Sequence, residues 1–238
     1  MKSSVSAGKV TITHENKIYT SSSKSANVFR IQLTSIGLGI SGILFVLYPA
    51  IRPFSDEASL SGAAAFASPE WLIAHVMAML AFILLTFGLL GFYLFLQETY
   101  TDRLAFLGFV LSLLGTGLTL PFYGAEVFGL HAIGQEAIKL QNSDLIGMAN
   151  VVRFGPGFTM ILIGLLSLAI GCILTAIGIW KSRILPKWSG IPLALGFLLY
   201  IPQFVGTQPI RVAHGFVVAI GCLWMAVSLF RKSRLSQR

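Results

Sequence analysis

The side chains able to do chemistry in this chain are few, and they are set in oil. In the stretch LTLPFYGAEVFGLHAIG, Leu118 to Gly134, Glu126 and His131 follow Pro121 inside an apolar run. Carboxylate and imidazole groups move protons near neutral pH, and both ligate transition metals. On a continuous helix Glu126 and His131 are five residues, about 140° of rotation, apart. They share a ligand only if the helix breaks, and Pro121, Gly124 and Gly129 supply places for a break. Tyr123 shares a face with Glu126, and Arg211 with His214, each pair at i and i+3. His75 lies four residues after Trp71, Gln203 follows Pro202, and Arg153 precedes a long apolar run.

The elements that must position these groups follow from composition. Of 238 residues 55% are hydrophobic and 11% charged, against roughly a quarter charged in a soluble domain. The reading is an all-α polytopic membrane protein, a six-transmembrane-helix bundle over 29–230. Its spans are expected at 29–51, 71–96, 104–131, 158–180, 190–206 and 212–230. A flexible cytoplasmic tail, 1–28, precedes them and a basic cytoplasmic tail, 231–238, follows. A hydrocarbon core of about 30 Å needs about 20 apolar residues per helix, and lipid leaves no water for unpaired backbone groups. The fifth run, with Pro192 and Pro202, is expected to be short and distorted. GAAAFAS resembles a signal cleavage site but lies too far past an apolar run longer than a signal core, so no cleavage is expected.

Charge distribution orients the bundle. Thirteen of the 17 Lys and Arg fall in both tails and the connections holding Arg103 and Lys181 to Lys187; only Arg52, Lys139, Arg153 and Arg211 fall on the other side. Both termini are therefore expected in the cytoplasm. Trp180 and Trp188 suit the inner aromatic belt, and Tyr48, Trp71 and Tyr123 the outer one. The basic tails carry no nucleic-acid-binding motif, so their partner is the lipid surface and not nucleic acid.

Small residues mark packing. Gly164, Gly171 and Gly178 recur every seven residues with Ser167 and Thr175 between them, and Ser35, Gly39, Gly42 and Gly108, Ser112, Thr116 form similar stripes. Such faces let helices approach closely within a chain or between copies of an oligomer. Cys172 and Cys222 have no metal or redox spacing and read as packing residues. FLGFVLSLLGTGLTLPFYG and WSGIPLALGFLLYIPQFVG echo one another, each ending on Pro, an aromatic and Gly, which suggests matching breaks in two helices.

At ~1.5 Å per residue, the polar side chains of the spans come out at one depth, the outer end. They are His75, Tyr123, Glu126, His131, Arg153, Gln203, Arg211 and His214. The connection Gln135 to Gly157 is expected to lie over them as a lid, with Ser143 or Asp144 capping the segment LIGMANVV. Glu126 is expected to neutralise Arg211 beside His75 and His214. Gln203 is expected to satisfy carbonyls freed by Pro202. Three functions suit such a layer. The first is binding or transport of a small polar or amphiphilic molecule, with no cofactor. The second is a redox protein, with haem b between His75 and His214, or a transition metal held by His75, His214, Glu126 and His131. The third is a membrane-embedded enzyme using Glu126 or a histidine as general base.

The connection KSRILPKWSGIPLALG, Lys181 to Gly196, resembles a recurring pattern in uncharacterised bacterial multi-pass membrane proteins, where a basic, Leu-Pro, Lys-Trp, Gly loop joins two late helices. The resemblance implies a bacterial inner-membrane protein and brings no activity or site residue with it.

Overall fold

The computed structural model describes the backbone of residues 5–235 and the side chains of residues 26–235. Every element within them is helical: α1 (Val5–Ile51), α2 (Leu60–Ala67), α3 (Pro69–Leu96), α4 (Asp102–Gly124), α5 (Leu130–Leu140), α6 (Met148–Phe154), α7 (Pro156–Ser182), α8 (Ile191–Leu198) and α9 (Gln208–Leu235). A π-helical turn, Ala125–Gly129, joins α4 to α5, and 3-10 turns occupy Ser143–Gly147 and Pro202–Val205. Helix α1 takes in residues 5–28 of the segment expected as a tail, with no proline before Pro49 to interrupt its backbone ladder; residues 1–4 of that tail and 236–238 of the basic tail lie outside the described residues.

Among the described residues five helices are long and apolar enough to cross a membrane: Ala26–Ile51, Pro69–Leu96, Asp102–Leu140, Pro156–Ser182 and Gln208–Leu235. Their flanks expose Ile36, Leu80, Leu113, Ile163, Ile170 and Ile220, a girdle suited to lipid rather than water. The chain is thus built as a multi-pass membrane protein.

Close approach sets the bundle. Helix α4 packs along α7 through reciprocal glycines: a Cβ on Gly115 would stand 2.5 Å from the Gly164 carbonyl oxygen, and one on Gly164 2.8 Å from that of Gly115. One heptad away, Gly108 and Gly171 face each other's carbonyl oxygens at 2.9 and 2.7 Å. Gly178 makes only ordinary contact, 3.7 Å from Leu104. Helix α1 lies between α3 and α9, with Gly42 against Ala219 and Cys222, and Gly88 of α3 against Leu38. The stripes are therefore used inside this chain.

The two places suggested for breaks turn out differently. Pro121 lies within an unbroken α4, so the third span does not open there. The register instead shifts in the π turn, which inserts a residue without ending the helix. The fifth span does break: α8 ends at Leu198 and the chain passes through a turn into the 3-10 segment begun by Pro202. The echoed sequences hence have different backbones, because α4 has α7 along its length while the fifth segment changes conformation before Pro202.

The core centres on Phe45, Phe82, Phe197 and Tyr200, whose ring centroids lie 5.2 to 6.3 Å apart. A second cluster of Ala63, Phe66, Trp71, Leu130, Ala137, Ile146 and Ala149 joins α2, α5, α6 and the 3-10 turn into a cap over one end of the bundle. Asn142, not Ser143 or Asp144, caps that turn, its Oδ1 accepting from Asp144 N at 2.9 Å. A residue before the turn is placed to meet its unpaired N–H groups, whereas residues inside it are not.

Candidate functional site

At the capped end the chain gathers its buried charges. Glu126 projects from the π turn, 7% exposed. Arg153, at the end of α6, grips both of its oxygens, Nε to Oε1 at 2.6 Å and Nη2 to Oε2 at 3.2 Å. The remaining Arg153 nitrogen, Nη1, donates to Glu57 Oε2, and Arg52 Nη2 donates to Glu57 Oε1 at 2.8 Å. Two arginines and two glutamates thus alternate from α1 across the 52–59 connection and α6 to the π turn. Forked guanidinium–carboxylate pairs of this kind fix orientation as well as charge.

Local structure explains the ends of this chain of charges. Glu57 adopts a left-handed backbone, φ 51°, a conformation that costs a side-chain-bearing residue about 1–2 kcal/mol. It is held there by Asp56, whose Oδ1 accepts from Ala58 N and Ser59 N at 3.1 Å, and by Gly62, which has no room for a Cβ against Glu57. Burial alone raises the Glu57 carboxyl, but its bonds and charge interactions with Arg153 and Arg52 outweigh burial and hold it below the ordinary value. Burial likewise works against the Arg153 charge, while Glu126 and Glu57 push its pKa up overall.

His75 is buried beside Glu126. Its Nδ1 pairs with the Trp71 carbonyl at 2.8 Å, its ring lies 4.2 Å from that of Trp71, and its Nε2 stands 3.7 Å from Glu126 Oε2, beyond hydrogen-bond reach. Trp71 Nε1 donates to the Glu126 carbonyl at 3.0 Å, so one residue, through its indole and its backbone carbonyl, positions both. Arg52 lies over the Trp71 ring, 4.7 Å from its centroid.

Next to this cluster three buried tyrosines meet. The Tyr200 hydroxyl stands 3.0 Å from that of Tyr48 and 3.1 Å from that of Tyr123. The Tyr200 ring also packs edge-on against His214 at 5.2 Å, and His214 Nε2 pairs with the Gly196 carbonyl at 2.7 Å. Tyr48, Trp71 and Tyr123, expected in an outer belt, all face inward instead. Depth along the chain places a residue along the bundle axis but not around it.

Other expectations are corrected. Glu126 is neutralised by Arg153, not Arg211. Arg211 binds the carbonyls of Gly206 and Phe204 at 3.0 and 2.5 Å, so it, and not Gln203, satisfies the backbone freed by the broken fifth segment. Both polar atoms of the Gln203 side chain are buried with no partner among the described residues. His131 turns away from Glu126 and pairs through Nδ1 with the Phe66 carbonyl at 2.9 Å. Among the described residues no three His, Cys, Asp or Glu side chains gather in a metal-holding group, so His75, His214, Glu126 and His131 do not form the set expected. His214 Nε2 is already bonded to the Gly196 carbonyl.

Sequence reasoning missed Arg52, Glu57, Tyr48, Tyr200 and the positioning role of Trp71. The spacing of Arg52 and Glu57 in a short connection was the one signal available. Tyr200 was legible only as an apolar-run residue.

Fold and site together define a class: a polytopic helical membrane protein with its buried charges gathered under a helical cap at one end. Compared with family models, with curated proteins and with solved structures, the chain matches none.

Proposed function

We propose that the protein binds or transports a small polar or amphiphilic molecule in the capped end of the bundle. The observation that carries this reading is Gln203. In a layer where Arg52, Glu57, Glu126, Arg153 and the three tyrosines pair with one another, its amide is buried with neither donor nor acceptor used among the described residues. An unpaired buried group costs about 1–3 kcal/mol, so a molecule offering one donor and one acceptor gains by meeting it. The site lies where a helix is discontinuous, as ligand sites in transporters do. The four-residue charge chain ties the 52–59 connection to α6 above it and supplies a latch whose opening admits the ligand.

The accompanying topology is six crossings with both termini cytoplasmic in a bacterial inner membrane, so that the capped end faces outward. Its support is the 13 to 4 charge asymmetry, the resemblance of the Lys181 to Gly196 connection, and the path of the fifth segment. That path leads from the end carrying Lys181 and Arg183 to Gln208, whose amide donates to the Pro49 carbonyl at 3.2 Å at the far end.

The test is mass spectrometry of small molecules that co-purify with wild type and with Gln203→Leu, alongside thermal unfolding. The expected result is a molecule retained by wild type and lost at least tenfold in the variant. A more stable Gln203→Leu protein with no molecule lost would overturn the reading and leave the amide a structural defect.

A further inference from the structure

At the opposite end, where α7 finishes, we propose a site for one anionic phospholipid of the adjacent leaflet, its headgroup in a basic concavity and an acyl chain in the groove below. The concavity, about 620 Å³, is lined by Tyr100, Trp180, Lys181, Arg183, Leu185 and Lys187. It carries three cations and no carboxylate, and none of the three is ion-paired among the described residues. Glu98, in the connection that holds Tyr100, and Asp102, at the start of α4, do not line the space. A smaller groove, about 240 Å³, continues along α7 toward the middle of the bundle and is lined by Ile173, Ala176, Ile177, Ile191 and Ala194. Trp180 and Lys181 line both spaces.

Each part has a local cause. Arg183 ends α7 in a left-handed conformation, φ 56°, which turns the chain sharply away. Trp180 and Trp188 pack edge to face at 4.4 Å, and the Lys187 ammonium stands 5.4 and 5.5 Å from the two rings, so this cation is held over the concavity's rim. Gly190 brings the start of α8 against α7, where a Cβ would lie 2.8 Å from Ala176 Cα. The small side chains Ala176 and Ala194 then leave a furrow between α7 and α8. Ile173 to Trp180 covers about 10 Å of helix, the upper part of an acyl chain. Three cations with no carboxylate partner among the described residues, joined to an apolar furrow, match a phosphate joined to a hydrocarbon chain, and basic pockets between helices bind such headgroups.

The experiment uses the full chain purified in neutral detergent and reconstituted with phosphatidylglycerol and phosphatidylcholine in equal amounts, with retained lipid measured by native mass spectrometry. Phosphatidylglycerol is expected to be retained at least fivefold over phosphatidylcholine. Lys181→Gln with Arg183→Gln and Lys187→Gln is expected to abolish the preference. Ala194→Leu, which fills the furrow and leaves every charge in place, is expected to lower retention of both lipids at unchanged Tm. Millimolar inorganic phosphate is expected not to displace the lipid. Equal retention of the two lipids, unaltered retention in Ala194→Leu, or displacement by inorganic phosphate would each overturn the proposal, the last in favour of a soluble anion. None of these outcomes depends on Gln203 or on which leaflet the site faces.

Discussion

At the scale of residues, the decisive pair is Glu126 and Arg153. Glu126 is buried, so removing the guanidinium leaves its charge with His75 as the one remaining ion-pair neighbour among the described residues, and breaking a buried pair from one side costs about 3–5 kcal/mol. Arg153→Gln is therefore expected to lower stability by that order, measured by unfolding in detergent. Glu57→Gln is expected to cost about 1 kcal/mol or less, because Glu57 is more exposed and Arg153 keeps Glu126. Equal losses in the two variants would remove the hierarchy. The pH dependence follows from Glu57, whose carboxyl is held below the ordinary 4.5. A group lowered on folding contributes stability that is complete above its unfolded value and lost as pH falls through its folded value. The cap should accordingly loosen below about pH 4.5, seen as faster amide exchange in α2 and α6, and Glu57→Gln, which mimics the protonated carboxyl, should show that faster exchange already at pH 7 and lose the Glu57 part of the acid dependence.

At the scale of elements, the α4–α7 contact and the cap obey different physics. The glycine pairs permit backbone contact that no larger residue allows, since a Cβ on Gly171 would collide with Ser112 Oγ and stand 2.7 Å from the Gly108 carbonyl oxygen. Gly171→Leu is expected to destabilise by at least 1–3 kcal/mol, the usual cost of overpacking. Gly117 on the same α4 has open space where a Cβ would stand, with nothing within 4 Å, and Gly117→Ala should be neutral or stabilising by up to about 1 kcal/mol. Similar unfolding temperatures for both variants would show that α4 and α7 are not held by this seam. The π turn belongs to the same scale. It carries Glu126 toward Arg153, while His131, just beyond the turn, faces α2.

At the scale of the whole molecule, a charged cap and a basic base lie at opposite ends of an apolar bundle, so topology decides which solvent each meets. Both native cysteines are buried, which leaves introduced ones readable. In intact cells Asn142→Cys is expected to react with an impermeant maleimide and Lys187→Cys only after permeabilisation. The reverse pattern would invert the molecule and place the charge cluster on the cytoplasmic side.

Hydropathy was enough to read an all-helical chain with long apolar helices, because the cost of exposing a backbone to lipid acts on the chain residue by residue. The small-residue stripes were legible for the same reason: a glycine every seven residues has one face whatever lies opposite. Pairing was not legible. Glu126 has Arg153 and not Arg211 as its counterion because rotation about the helix axis, set by the π turn and by the packing of α6 under the cap, selects among charges at equal depth. Tyr48, Trp71 and Tyr123 turned inward for the same reason, and Gln203 was left unpaired when Arg211 took the carbonyls beside it. Depth is a property of the one-dimensional chain; azimuth is decided only when helices pack.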